Sequence, residues 1–294
     1  MEKIAAYITA YNEEQRIERI IRSVSKFDYI LVIDKSSTDH TREIAEKLGA
    51  HVVKVPYTDN DPEYNFNVMR STLLENGIHW GLNVVCSDVC HSALYDAMSE
   101  AVNGYARDYD SIYVPFIQYS MGLSGKHTFY NKSKTKPLLA KVESLQYCSS
   151  VHTFHLPPDA KLINLKVPDR KVAIYHFTHE NLDIIMERHT RYAKNIAANR
   201  QKSGRSKERE LRSCTVSVIR HVLDYFKLGV FKKKWDGLAQ FFMLLMYYSM
   251  IYLFTYFDED KTKEIVQQYK ELAESLMSVD DEYKEQTEKN KSDQ

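Results

Sequence analysis

Three short polar clusters lie in the N-terminal third of the chain, each directly after an apolar run: Thr9-Ala10-Tyr11-Asn12-Glu13-Glu14, Asp34-Lys35-Ser36-Ser37-Thr38-Asp39 and Cys86-Ser87-Asp88. The Tyr11 ring and the backbone around Thr9 offer a flat apolar contact and edge hydrogen bonds to a planar heterocycle. Glu13 or Asp34 offers a carboxylate to ribose hydroxyls, and Asp88 offers an oxygen to a divalent cation that carries a diphosphate. Together these groups are the equipment for holding a nucleotide. Each also has a plainer reading. Asp34 suits a turn or helix cap, and Glu13 and Glu14 suit the first turn of a helix, where the dipole favours acids. Cys86, Cys90 and His91 have zinc-like spacing but no second ligand pair, so buried apolar thiols are expected.

The elements that must position these clusters follow from periodicity. Ile4 to Thr9, Tyr29 to Ile33 and His51 to Val55 are apolar runs fit for buried strands. Between them Ile17, Ile20, Ile21 and Val24, then Ile44, Ala45 and Leu48, recur at helical spacing, and Gly49 stands where a helix end wants a left-handed residue. Strand–helix–strand–helix–strand with short links predicts a parallel sheet with right-handed crossovers. Ligands of such sheets bind at the carboxyl ends of the strands, where all three clusters fall. A helix over Asn65 to Leu74, a strand over Trp80 to Val85, a helix over Ser92 to Val102 and a strand over Ser111 to Ile117 continue the pattern, and Met121 to Lys171 shows little period.

The strings Thr9-Ala10-Tyr11-Asn12-Glu13-Glu14, Val32-Ile33-Asp34-Lys35-Ser36-Ser37-Thr38-Asp39-His40-Thr41 and Ile44-Ala45 resemble family 2 glycosyltransferases, whose pattern reads roughly T-Y-N-E-E, then V-D-x-x-S-x-D-x-T. Tyr64-Asn65-Phe66, Trp80-Gly81-Leu82 and His189-Thr190-Arg191-Tyr192-Ala193 resemble the branch that acts on lipopolysaccharide core and related glycolipids of the cell envelope. The resemblance implies an α/β fold of the GT-A type, a Rossmann-like, mostly parallel sheet flanked by helices. It implies a nucleotide-sugar donor, UDP-sugar foremost, with Thr9, Tyr11, Glu13 and Asp34 against the nucleoside. It makes Asp88 the last carboxylate of a metal-binding D-x-D that holds Mg²⁺ or Mn²⁺ and serves catalysis. Cys86 stands where the first carboxylate belongs, so diphosphate oxygens and water must complete the octahedron. The other D-x-D strings, Asp59-Asn60-Asp61 and Asp108-Tyr109-Asp110, do not directly follow an apolar strand.

The family's His-Glu pair corresponds to Val151-His152-Thr153, which makes His152 the expected base for an inverting transfer. Glu143, His155, His179 and Glu180 are alternates. His176 and His179, beside Tyr175 and Phe177, read otherwise as packed aromatics at a strand end. The alternative function is a nucleotide-sugar-binding pseudoenzyme, for which Cys86 and Thr153 speak. A nucleotidyltransferase is disfavoured, because no Gly-rich phosphate loop is present near the N-terminus.

At 294 residues the chain can bury a sizeable core. Its 40 basic and 40 acidic residues balance, which argues against a nucleic-acid partner. The charge is unevenly spread, with eleven basic residues against three acids between Asn199 and Lys234. Within that block Val216, Ile219, Leu223 and Phe226 share a helical face. Leu238 to Phe257 is about long enough to cross a bilayer. Gln240, Ser249 and Thr255 interrupt it, however, and its tyrosines favour interfacial depth.

The expectation is a C-terminal helical extension docked in the plane of an anionic membrane surface, and hence a lipid-linked saccharide acceptor. Helices packing on the enzyme itself and a homo-oligomer are left open. Met1-Glu2-Lys3 leads straight into an apolar strand, and the four cysteines do not read as a secreted framework. The expected location is therefore cytoplasmic, peripheral on the inner face of the cell membrane. The expected organisation is a nucleotide-sugar and acceptor domain over 1–195, docking helices over 196–257, and a helix with a polar tail over 258–294.

Overall fold

The computed structural model describes residues 1–57, 62–130, 134–147, 156–201 and 204–292, with the backbone alone for 62 and 278–292. It divides into two units, Met1–Glu180 and Asn181–Gln294. The first unit runs β1 (Ile4–Ala10), α1 (Ile17–Ser23), β2 (Tyr29–Asp34), α2 (Thr41–Lys47), β3 (His51–Lys54), α3 (Pro62–Glu75), β4 (Trp80–Val84), β5 (Asp88–Cys90), α4 (Leu94–Asn103), β6 (Ser111–Ser120), β7 (Lys134–Lys141), β8 (Leu162–Asn164) and β9 (Ile174–Thr178). Among the described residues the strands form one sheet in the order β3-β2-β1-β4-β7-β6-β9-β5, with β8 beside β6.

β1 pairs in parallel with β2 and β4, and β2 with β3. β7 runs antiparallel to both β4 and β6, β5 runs antiparallel to β9, and β6 is parallel to β8 and β9. Every strand except β5 and β7 therefore points the same way, and the carboxyl ends of the parallel set meet at one edge. Successive β1 side chains go to opposite faces. Ile4, Ala6, Ile8 and Ala10 join Ile17, Ile20 and Ile21 of α1 and Leu94 and Met98 of α4. Ala5 and Tyr7 join Leu31 and Ile33 of β2 and Phe66, Met69 and Leu73 of α3. Burial on both faces is why these strands read as continuous apolar runs.

The sheet has to curl. β4 and β5 are four strand spacings apart in the order, about 19 Å if the sheet were flat. The chain from Val84 to Asp88 reaches about 14 Å when fully extended. Curling closes the gap and brings Asp88 to the shared edge; its N–H donates to the Val85 carbonyl at 2.8 Å.

The second unit is helical: α5 (Leu182–Gln201), α6 (Lys207–Lys227), a 3-10 turn (Val230–Lys233), α7 (Lys234–Tyr256) and α8 (Glu259–Ser292). Ser206 caps α6 by accepting from the Arg209 N–H. α7 packs against both α5 and α6, with Gln240 and Thr255 buried. α8 continues to Ser292, further into the polar C-terminal sequence than its composition predicts.

Two buried histidines make this unit acid-sensitive. His189 lies on α5 against the Tyr247 ring, and His221 on α6 is stacked on Phe241 with Nε2 at 3.0 Å from the Phe241 carbonyl. Burial lowers both imidazoles from their ordinary 6.5; for His221 the Phe241 carbonyl and Asp224 oppose that effect without overturning it. The unfolded chain thus binds more protons, and stability falls as pH drops below about 6.5. The helical unit is expected to melt at lower temperature at pH 5.5 than at pH 7.5, followed by circular dichroism at 222 nm. His221→Gln is expected to narrow that difference.

Candidate active site at the carboxyl edge of the sheet

The first two clusters leave neighbouring strand ends and brace each other. Ala10 stands opposite Asp34 in the β1–β2 register, so Tyr11 and Lys35 emerge side by side. Asn12, held at φ 52°, donates its N–H to Ser37 Oγ at 3.0 Å, and its Oδ1 accepts from the Thr38 N–H at 2.9 Å. The Glu13 N–H donates to Thr41 Oγ1 at 2.7 Å and the Glu14 N–H to Asp39 Oδ2 at 3.1 Å. Asp39 also accepts from the Thr41 N–H and hydroxyl. Burial pushes its carboxyl up, but the Thr41 and Glu14 donors outweigh burial and hold it below the usual range. Glu14 accepts from the His40 N–H, and that bond, with the His40 ring, lowers its carboxyl. Most of both polar strings is therefore spent on holding two loops in one shape.

Fewer groups of the two clusters lie outside that bracing. Thr9 is exposed on β1 opposite Ile33. The exposed Tyr11 ring lies against the Tyr57 ring, with centroids 4.2 Å apart and planes 33° apart, and Lys35 Nζ lies 5.4 Å from the Tyr57 centroid. Asp34 is only 1% exposed; its Oδ1 accepts the Ser37 N–H at 3.0 Å. Its Oδ2 is buried with no hydrogen-bond donor among the described residues. A desolvated carboxylate oxygen without a donor is costly, and a ligand hydroxyl or imide N–H would satisfy it. Glu13 forms an ion pair with Arg16, its Oε2 at 2.5 Å from Nη2.

Asp88 sits at the same edge, 3% exposed. Its Oδ2 accepts the Val85 N–H at 2.9 Å and its Oδ1 lies 2.6 Å from His176 Nδ1, across from it in the β5–β9 register. The His176 ring packs on Phe116 with centroids 5.1 Å apart. Lys136 Nζ stands 3.6 Å from the Phe116 centroid on the β7 side. Burial lowers the Lys136 ammonium, partly offset by the negative charge of Asp88. His176 is thus both a packed aromatic, as its setting in the sequence suggests, and the partner of Asp88. Its pairing lies 88 residues away along the chain, with no spacing signal to reveal it.

Among the described residues, no group of three or more His, Cys, Asp or Glu side chains gathers as a metal cluster. Asp88 and His176 alone offer one carboxylate and one imidazole, a donor set that suits a divalent ion completed by phosphate oxygens and water. Cys86 and Cys90 are buried, and burial pushes the Cys90 thiol far up.

Several alternates fall elsewhere. Glu143 follows the carboxyl end of the antiparallel β7 and pairs with His79, which precedes β4, so it lies at the opposite edge of the sheet. Asp110, just before β6, is at that opposite edge too; the Lys161 N–H and Ser144 hydroxyl hold its carboxyl low. His179 does lie at the carboxyl edge, at φ 61°, with Nδ1 2.6 Å from the hydroxyl of the fully buried Ser120. Glu180 there pairs with Arg19 at 3.2 Å, whose guanidinium also lies over the Phe177 ring. His152, His155 and the Asp59-Asn60-Asp61 string lie outside the described residues.

Residues 6–67, which span the two braced loops and Asp34, match the model of glycosyl transferase family 2. An uncharacterized glycosyltransferase of Rickettsia conorii is 35% identical over 108 residues, 36% of this chain and 36% of that protein. Another from Rickettsia bellii is 39% identical over 95 residues, 32% of this chain and 31% of that one. These matches thus take in about a third of the length of the curated relatives. The solved structure of S. aureus TarS 1-349 shares 16% identity over 69% of this chain and 67% of that one, with a TM-score of 0.42. The segment that builds the braced loops and Asp34 is therefore the part of the chain that is similar to family 2 glycosyltransferases.

Proposed function

We infer that the protein is a glycosyltransferase that moves a sugar from a nucleoside diphosphate, UDP in the first instance, to a lipid-linked glycan, with inversion, on the cytoplasmic face of a membrane. The observations that carry this reading are the buried Asp34, whose Oδ2 has no donor among the described residues, and the exposed Tyr11–Tyr57 ring pair, which leaves the adjoining strand end, in a segment similar to family 2 sequence. A pyrimidine or purine stacks on such rings, and the ribose or base donates to the carboxylate. Thr9, exposed near the end of β1, and Glu13, paired with Arg16, are assigned to the same nucleoside.

In the reaction, the acceptor hydroxyl oxygen attacks the anomeric carbon while the bond from that carbon to the diphosphate oxygen breaks. The nucleoside diphosphate leaves with the electron pair, and the hydroxyl proton passes to a base. We assign the base to His152 by motif position, with His179 the rival at the same edge as Asp88. Asp88 and His176 are the residues that would hold a Mg²⁺ or Mn²⁺ ion, which would neutralise charge on the departing diphosphate. Lys136 adds a cation next to that pair, where leaving-group charge develops. A pseudoenzyme that only binds the nucleotide-sugar would share the first contacts and lack turnover.

Thermal unfolding with UDP, GDP, ADP and CMP tests the donor site. At a hundred times its dissociation constant, a ligand adds about 2.7 kcal/mol, which raises the midpoint by several degrees. UDP is expected to give that shift. Asp34→Asn keeps an oxygen for the Ser37 N–H but turns the unpaired position into a donor, so it is expected to weaken UDP by about tenfold or more. Unchanged UDP affinity in Asp34→Asn overturns the assignment.

Turnover tests the chemistry, measured as UDP release from UDP-sugars with a glycolipid-containing membrane extract as acceptor source. His176→Ala is expected to raise the Mn²⁺ concentration needed for half-maximal rate. His152→Ala is expected to lower kcat by about a hundredfold or more with donor KM unchanged. A loss of that size in His179→Ala, with His152→Ala active, moves the base to His179.

A further inference from the structure

The second unit carries a patch of apolar side chains that its own packing leaves uncovered. On α6, Val216, Ile219, Leu223 and Phe226 share a face and are all more than half exposed, Phe226 at 63%. At the start of α7, Trp235 is 82% exposed, and Phe242 lies exposed two turns on. Ring contacts join the aromatic side chains of α6, the 3-10 turn and α7, Trp235 aside. Phe226 and Tyr225 both meet Phe231, Tyr225 meets Phe241, and Phe241 meets Phe242. An exposed apolar surface of this extent marks an interaction site.

The border of the patch identifies its occupant. Arg220, Lys227, Lys232 and Lys234 are exposed along the same stretch of α6, the 3-10 turn and the start of α7. Asp224 and Asp236 are the acids between Arg220 and Tyr256. A rim of cations around Phe, Leu and Trp complements a surface of anionic headgroups over acyl chains. Trp at the boundary is the usual residue of that depth. The exposed face of α8, with Val266, Tyr269, Leu272 and Leu276, is interleaved instead with Glu264, Lys270, Glu271 and Glu274 and lacks this complementarity.

Val230–Tyr256 is long and apolar enough to cross a bilayer by length and composition, yet its packing argues for a different placement. α7 is engaged along its length by α5 and α6: Cys214 lies beside Thr255, His221 beside the Phe241 carbonyl, and His189 beside Tyr247. A spanning α7 would carry the charged faces of α5 and α6 into the hydrocarbon with it.

We propose that the α6 face, the 3-10 turn and the start of α7 form a monotopic dock for an anionic lipid bilayer, with the Phe226–Phe231–Trp235 rings at the headgroup boundary and α7 not crossing. This rests on the reading of the acceptor as lipid-linked and assigns the surface that meets the lipid. The full chain is tested by co-sedimentation with vesicles of phosphatidylcholine alone and of phosphatidylcholine with 30% phosphatidylglycerol, a composition chosen for the assay. Binding to the anionic vesicles, released by 1 M NaCl and by carbonate wash, is expected. Lys227→Gln/Lys232→Gln/Lys234→Gln is expected to lower anionic partitioning by roughly a hundredfold and Leu223→Glu/Phe226→Glu to abolish it. Both variants should keep the UDP-dependent thermal shift of the native chain, which separates loss of docking from loss of the donor site. Wild-type binding to neither vesicle, carbonate-resistant insertion, or a dimer in solution that the Leu223→Glu/Phe226→Glu variant dissociates without any change in lipid binding, overturns the proposal.

Discussion

Val84 and Asp88 are joined by three residues, and the arrangement of the candidate active site depends on how short that link is. In a flat sheet the link could not reach from β4 to the partner of β9. Because it does reach, the sheet curls, and side chains from β5, β6, β7 and β9 converge on the edge that already carries Asp34. Asp88 is the pivot. The Val85 N–H fixes one of its oxygens and His176 the other, so a carboxylate without the first member of a D-x-D still sits in a defined place. His176 in turn rests on Phe116, which carries Lys136 on its ring.

The other half of the site is built on a different economy of side chains. Asn12, Ser37, Thr38, Asp39 and Thr41 use their hydrogen bonds on one another and on neighbouring backbone, which holds two adjoining loops rigid before any ligand arrives. Preorganisation of that kind lowers the ordering cost of binding. It leaves a short list of groups with capacity to spare: the Tyr11 and Tyr57 rings, Lys35, and one oxygen of Asp34. The buried Oδ2 of Asp34 is the most informative of these, because a native core rarely leaves a desolvated carboxylate oxygen without a donor.

Much of this was legible in the sequence, and the boundary of legibility has a physical cause. β1, β2 and β3 are buried on both faces, so their continuous apolar runs announce strands, and a parallel set sends its polar residues to one edge. Asp34 and Asp88 could be placed there from local order alone. β5 is three residues long and β7 contains Pro137 within Lys134–Lys141; neither has the length or alternation that reveals a strand. His176 and Lys136 are brought to Asp88 by antiparallel pairings between segments far apart in the chain, and contacts of that range leave no spacing to read. In the helical unit the four-residue stripe Val216, Ile219, Leu223 and Phe226 was visible as an amphipathic face. Its lack of cover, and its continuity with Phe231 and Phe242, come from how α7 and the 3-10 turn pack beside α6, and such contacts leave no spacing along the chain.

The central claim is that one edge of the curled sheet holds the donor, with Asp34 reading the nucleoside and the Asp88–His176 pair facing the diphosphate. A crystal structure of the protein soaked with UDP and Mn²⁺ tests it most directly. The account predicts the base or ribose within hydrogen-bond distance of Asp34 Oδ2 with a ring face on Tyr11, and an anomalous manganese peak in contact with both Asp88 and His176, their mutual hydrogen bond broken. A nucleotide bound away from Asp34, or manganese bound while the Asp88–His176 bond stays intact, would contradict it.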